Sequence, residues 1–243
     1  FQLDALYLLL NPCYNKVTMS KKYVKISWKE NTVPISDKFH DAYYSSENGL
    51  LETNYVFIDG NRLHERLNHG FQIAELGFGT GLNFLASCAA WNKTSRTGKF
   101  NFVSFEGYPM SPLDLQKAHL PFPELAEYSH ILQNKWGEII AGIPVDFGFA
   151  NLKVFIGDIS KTLRTFNSKV DCWYLDGFAP NKNPEMWTED ILKMVALRTK
   201  AGGSFSTYTA AGHVRRTLQH VGFNVTRKKG FFKKKHMIQG TRL

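Results

Sequence analysis

Apolar residues along the chain recur with two periods. Phe71 to Leu76, Phe100 to Glu106, Leu152 to Asp158, Val170 to Asp176 and Gly203 to Tyr208 are short runs of strand length. Between them, Leu82, Phe84, Leu85, Cys88 and Ala89 recur at helical spacing within 81–91. Glu189 to Thr199, closed by Gly202 and Gly203, and Ala210 to His220 do the same. Strands alternating with helices predict a mainly parallel sheet covered on both faces. Asn224 to Arg227 and His236 to Gly240 break the alternation and predict a C-terminal antiparallel pair. The fold class expected is therefore α/β, Rossmann-like and doubly wound.

Two stretches fall outside the alternation. Residues 37–62 are dense in aromatics and turn formers, with Asn48-Gly49 and Asp59-Gly60 as turns and Tyr55 to Ile58 as a short strand. They predict a β-rich cap ahead of the sheet, either covering a ligand or packed on its edge. Residues 108–150 carry five prolines, and Leu125 to Ile140 is expected to form one helix within a helical insertion. Met19-Ser-Lys-Lys reads as a natural start, which makes 1–18 an extension of unknown role, 19–70 the cap and 71–243 the core.

The first strand runs into glycines at alternate positions, Gly77, Gly79 and Gly81. Such a turn brings backbone N–H groups and a helix N-terminus close to a ligand. The dinucleotide fingerprint G-x-G-x-x-G requires a small residue at position 82, where this chain has Leu82. Glu75-x-Gly77-x-Gly79-x-Gly81 instead resembles motif I of class I S-adenosylmethionine-dependent methyltransferases. A glycine-rich turn in another α/β protein has the same local composition.

Four acids, Glu75, Glu106, Asp158 and Asp176, fall at the carboxyl ends of predicted strands, where open α/β sheets bind ligands. Glu106 stands 25 residues after Gly81, the position of a ribose-binding carboxylate. The loop from Asp176 to Trp187 sets Phe178, Pro180, Asn183 and Trp187 beside a carboxylate. That mixture suits stacking of a flat base, or a proline-rich loop with core aromatics.

Composition narrows the partners. The 243 residues carry a formal net charge of +9, which favours a polyanion. Arg227 to Lys235 interleaves cations with Phe231 and Phe232, a pattern for tracking phosphates or for protecting a hairpin edge. Three scattered cysteines, Cys13, Cys88 and Cys172, fit a reducing compartment and no disulfide framework. The histidines show no metal-ligand spacing, and no apolar run approaches a membrane span.

Four segments together resemble the methyltransferase domain of the bacterial MnmC family. They are Tyr43-Tyr-Ser-x-x-x-Gly49-Leu-x-Glu52-Thr-x-Tyr55-Val-Phe, Glu75 to Phe84, Leu175-Asp-Gly-Phe-Ala-Pro-x-x-Asn-Pro-x-Met-Trp187 and Ser206-Thr-Tyr-Thr-Ala-Ala-Gly-x-Val-Arg-Arg216. The resemblance implies methyl transfer from S-adenosyl-L-methionine to 5-aminomethyl-2-thiouridine at the tRNA wobble position, in the cytoplasm, with the anticodon stem-loop as partner. It implies Asp176, Glu52 and Tyr208 as catalytic residues. For the cofactor it implies Glu75, Gly77, Phe78, Gly79, Thr80, Gly81, Asn83, Glu106, Asp158 and Asp176. For the substrate it implies Tyr44, Phe178, Pro180, Asn183, Trp187, Arg215, Lys233, Lys234 and Lys235. Many members carry a second, FAD-dependent oxidase domain, which this sequence does not encode. The chain is thus expected to be a stand-alone form or one half of a longer protein. Gly177-Phe178-Ala179 separate Asp176 from Pro180, a departure from the [DN]-P-P-[YF] motif of adenine amino-methyltransferases. A nicotinamide-dependent oxidoreductase and a non-catalytic tRNA-binding module are the rival classes, to be separated by cofactor titration and by a methyl-transfer assay.

Overall fold

The computed structural model describes residues 23–243, so the extension at 1–18 lies outside the described residues. A small antiparallel sheet comes first, made of β1 Ile26–Lys29, β2 Val33–Ser36 and β3 Asp41–Ala42. The main sheet follows with β4 Gln72–Leu76, β5 Phe100–Glu106, β6 Val145–Asp146, β7 Ala150–Ile156, β8 Val170–Leu175, β9 Thr199–Thr207, β10 Phe223–Lys229 and β11 His236–Arg242. Its eight strands stand in the order β10-β11-β9-β8-β4-β5-β7-β6. The pairs β4–β5, β4–β8, β5–β7 and β8–β9 are parallel, while β11 joins β9 and β10 antiparallel. From β4 the chain winds one way to β5 and β7, then crosses back to β8 on the other side. This reversal opens a crevice at the carboxyl ends of β4 and β8.

The period of two divides the central strands between two cores. Ile73, Phe102, Cys172 and Tyr174 face the helix Leu82–Asn92, while Ala74, Leu76, Phe105, Trp173 and Leu175 face the opposite layer. That opposite layer holds the helices Ile159–Thr165, Glu189–Leu197 and Gly212–His220. Leu82–Asn92 is buried on nearly all sides because the cap lies over its outer surface.

The cap departs from expectation. After the small sheet comes a helix, Gly49–Thr53. Asn48 caps that helix by accepting from Leu51 N at 2.8 Å, so Asn48-Gly49 starts a helix and does not make a hairpin turn. Tyr55 to Ile58, expected as a strand, continues the helix as a π-helical segment, Asn54–Asp59. Val56, Phe57 and Ile58 are buried in succession, whereas a strand would have turned one of them outward.

Two other boundaries move. Leu125 to Ile140 breaks at Lys135 into Ala126–Asn134 and Trp136–Ile140. The break lets the fully buried Trp136 donate to Met110 O at 3.0 Å and stack on Phe78 at 5.9 Å. Gly202 and Gly203 lie inside β9, not at the end of a helix. The register jumps there, from Val170 opposite Thr199 to Cys172 opposite Ser204, and Gly202 takes φ 72° to absorb the bulge.

Candidate functional site

The crevice is a cavity of about 630 Å³, bounded by the sheet ends below and the cap above. Its floor is the glycine turn. Gly77 has φ 86°, and a Cβ there would lie 2.4 Å from Asp176 O, so the β4 and β8 loops can pass each other only at a glycine. Gly79 has φ 54°, and a Cβ there would meet the Tyr43 ring at 3.0 Å.

Asn83, in the first turn of Leu82–Asn92, organises the acids. Its Nδ2 donates to Glu75 Oε1 at 2.8 Å and to Asp176 Oδ2 at 2.6 Å, and its Oδ1 accepts from Thr53 Oγ1 at 3.0 Å. Ser104 Oγ donates to the other Glu75 oxygen at 2.6 Å. Burial, with Asp176 and Glu106 nearby, pushes the Glu75 carboxyl well above its usual range despite these donors. Burial likewise raises Asp176 to about 7; Asn83 opposes the shift, Glu52 adds to it and Lys234 offsets part of it.

Glu106 accepts from Gly79 N at 2.8 Å and from Tyr108 N at 2.6 Å, tying β5 to the glycine turn. Burial raises its carboxyl while those backbone donors pull it down. Asp158 is exposed at the rim, accepts from Ser160 N at 2.8 Å, and is held below its usual range by Ser160. His119 holds the turn from behind through Thr80 O at 2.7 Å, with Gln133 on its other ring nitrogen at 3.0 Å. Burial lowers its pKa, so the neutral ring donates from Nε2 and accepts at Nδ1.

The cap closes the other side. Phe39 stacks on Phe178 at 4.8 Å, Tyr43 meets Phe178 edge-on at 5.0 Å, and Asp41 Oδ2 accepts from Ala179 N at 3.0 Å. Lys182 pairs with the other Asp41 oxygen at 3.0 Å. At the far end, Tyr208 donates to Gly177 O at 2.6 Å. Lys234 reaches in from the β10–β11 loop to pair with Glu52 at 2.7 Å.

Of the residues expected to be catalytic, Asp176, Glu52 and Tyr208 all line this cavity. Of those expected at the cofactor, Gly77, Phe78, Gly79, Thr80, Asn83, Glu106, Asp158 and Asp176 line it. Glu75 does not; its carboxylate is spent inside the sheet on Asn83 and Ser104. Gly81 supports the turn against Phe78 and Leu132 instead. Tyr44, Phe178 and Asn183 line the cavity, although Tyr44 Oη is committed to Thr32 O and Ala118 O at 2.8 and 3.0 Å.

Of the remaining residues expected at the substrate, Lys234 lines the cavity. Trp187 is buried and props the loop by donating to Phe178 O at 2.9 Å, while Pro180 and Arg215 lie off the cavity. Lys233 and Lys235 are exposed on the hairpin loop, and Lys234, also partly exposed, reaches Glu52 and lines the cavity. Sequence reasoning missed Phe39, Asp41, Tyr43 and His119. For the first three, the aromatic density of 37–62 and the Tyr43-Tyr44 pair were the available signal.

Residues 123–243 match the family model described as S-adenosyl-L-methionine-dependent methyltransferase. The crystal structure of MNMC2 from Aquifex aeolicus is similar over 91% of this chain and 71% of that one, at 23% identity and a TM-score of 0.71. That likeness establishes the fold. The S-adenosylmethionine-bound amino pentose methyltransferase CalS10 from Micromonospora echinaspora matches at 11% identity over 76% of this chain and 89% of that one, with a TM-score of 0.44. A TehB-like methyltransferase from Corynebacterium glutamicum matches at 13% identity over 77% and 88%, with a TM-score of 0.43. Among the described residues, no helix is long and apolar enough to cross a membrane.

The raised Asp176 carboxyl has a consequence for stability. Because its folded value of about 7 exceeds its ordinary 3.8, the folded state binds more protons between those values. Its contribution is fully present below about pH 4 and is lost as pH rises through 7. Asp176→Asn is therefore expected to match wild type near pH 4 in urea unfolding. Near pH 8 it should exceed wild type by about 1–2 kcal/mol, a figure discounted for water reaching this half-buried side chain. Parallel curves across the whole pH range would refute the assignment.

Proposed function

We infer that this chain, which belongs to the S-adenosyl-L-methionine-dependent methyltransferases, methylates the primary amine of 5-aminomethyl-2-thiouridine at the tRNA wobble position. The observation that carries this reading is the far end of the cavity, where Asp176 and Glu52 stand together beside the ring of Tyr208. A pair of carboxylates attracts an alkylammonium and can take its proton; a hydroxyl acceptor gains far less from them. The four segments resembling the MnmC family support the same substrate, and MNMC2, which shares the fold, carries that family's name.

The chain's residues fit the cofactor. A Cβ at Gly77 would meet Asp176 O and one at Gly79 the Tyr43 ring, so only glycines let this turn keep its close backbone path beside a methionine moiety. Each Glu106 oxygen retains acceptor capacity beyond its backbone donor, which suits ribose hydroxyls. Asp158, at the rim with Tyr108 and Ile159, suits an adenine amino group. The volume lies within the roughly 300–1,000 Å³ of small-molecule sites. When bound, S-adenosylmethionine supplies an electrophilic methyl group on a sulfonium centre.

Asp176 is the group that readies the acceptor. A carboxyl held near 7 is a stronger base than an ordinary aspartate, and Asn83 fixes its orientation. It receives a proton from the alkylammonium, leaving the nitrogen lone pair free to attack. Phe39, Tyr43 and Phe178 form an aromatic wall that excludes water and offers faces to a base. The exposed cations of the β10–β11 hairpin suit the anticodon stem-loop backbone. An FAD-dependent oxidase, as a second domain or a separate enzyme, is the class of reaction that would expose the amine. A cytoplasmic location accompanies that substrate.

Three outcomes test the reading. Calorimetry should show binding of S-adenosylmethionine and its demethylated product but not of NAD. Gly79→Val should abolish that binding, since its backbone is left-handed and the Tyr43 ring blocks the added carbon; undiminished affinity would sink the assignment. In single-turnover methylation of tRNA bearing the aminomethyl group, Asp176→Asn should lose about 10²–10⁴-fold in rate with near-normal binding. It should recover partly at high pH, where the amine is already neutral; near-wild-type turnover at pH 7 would remove Asp176 from the mechanism. Changing Lys228, Lys233 and Lys235 to Ala should lower the salt dependence of tRNA binding by about 0.9 for each phosphate no longer neutralised. An unaltered slope would move the tRNA surface away from the hairpin.

A further inference from the structure

Lys234 belongs to a run of cations whose sequence suits a phosphate-facing surface, yet its side chain, 47% exposed, lines the cavity mouth. Nζ donates to Glu52 Oε1 at 2.7 Å and stands 4.5 Å from the centroid of the Tyr208 ring. Glu52 is largely covered, with 13% of its side chain exposed, while Lys234 is 47% exposed, so the pair is anchored on a covered carboxylate and open to solvent at its ammonium end. The same ammonium acts on Asp176. The loop carrying Lys234 is fastened close by. Tyr55 donates to Lys229 O at 3.0 Å and its ring meets Phe231 at 6.1 Å.

A carboxylate, the face of a phenol ring and a nearby second carboxylate are the groups that recognise an alkylammonium. Lys234 is itself one, a primary amine at the end of an alkyl chain. We propose that Glu52 and Tyr208 form an ammonium subsite, that Lys234 fills it at rest, and that the acceptor amine takes it over by displacing Lys234. The inference rests on the amine reading above and adds the receptor for that amine and its internal competitor. Lys234 on this account is a positioning residue: it keeps two carboxylates from facing each other unpaired while the cavity awaits substrate.

The test uses methylammonium as probe, followed by NMR titration of the full chain. Lys234→Ala should bind methylammonium about 5-fold more tightly than wild type, the factor that a partly exposed ion pair withholds. Lys234→Ala combined with Glu52→Gln should lose that gain, and Lys234→Arg should behave as wild type. KM for the amine-bearing tRNA should fall in Lys234→Ala by a similar factor. Equal methylammonium affinity in wild type and Lys234→Ala, or a gain that survives Glu52→Gln, would overturn the proposal. So would a raised KM with a reduced salt slope, which would make Lys234 a phosphate contact alone. If Lys234→Ala fails to fold by circular dichroism, Lys234→Met replaces it. A wild type that methylates no amine would defeat the reading of function, and the titration, which needs no methyl transfer, would still decide the subsite.

Discussion

Two carboxylates on neighbouring strands meet one amide. Glu75 is the penultimate residue of β4 and Asp176 follows β8, and both Nδ2 hydrogens of Asn83 are used to hold them. Without that donor, the two acids would face each other in a medium that screens charge poorly. The arrangement requires the helix Leu82–Asn92 to begin immediately after the turn, at Gly81 with φ 74°, so that Asn83 lies in its first turn. It also requires the Thr53 hydroxyl from the cap to engage the remaining amide oxygen. Sheet, turn, helix and cap are thereby joined at one side chain.

The same junction separates what the sequence makes legible from what it hides. Strands of the main sheet are readable because each central one is buried on both faces and ends in a turn or an acid. The convergence of Asp176, Glu106 and Asp158 on one crevice follows from their positions at strand ends. Glu75 shows the limit of that rule. Position alone does not say whether a strand-end carboxylate faces the ligand or the helix above it, and Glu75 faces the helix. The π-helical segment is hidden for a similar reason: Tyr55-Val-Phe-Ile has strand composition, and only the cap at Asn48 and the surface it packs on make it helical. Trp187 has the composition of a stacking platform, but its ring is spent supporting the Phe178 carbonyl. Lys234 is indistinguishable from its neighbours in sequence, and only the path of the hairpin turns it toward Glu52.

The cap is held by few, specific contacts. Asp41 reaches Ala179 N and Lys182, and Phe39 lies on Phe178, so residues 39–43 and 176–187 join into one wall of the space. Most of the polar groups in this wall are already engaged with each other. This wall is therefore preorganised, and a ligand that meets it finds side chains whose orientations are already fixed.

The hairpin that delivers Lys234 has a consequence in time. Glu52 and Tyr55 precede Lys229, Phe231 and Lys234 by a long stretch of chain, with 174 positions separating Tyr55 from Lys229 and 182 separating Glu52 from Lys234. β11 also inserts between β9 and β10, so this sheet edge completes only when β11 has been made and pairs. During synthesis the glycine turn and the three acids at its strand ends can assemble while the far wall of the cavity is still missing. A nascent chain thus has a place for a cofactor before it has a closed chamber beside it, and the hairpin, made after the strands that carry the acids, turns the one into the other.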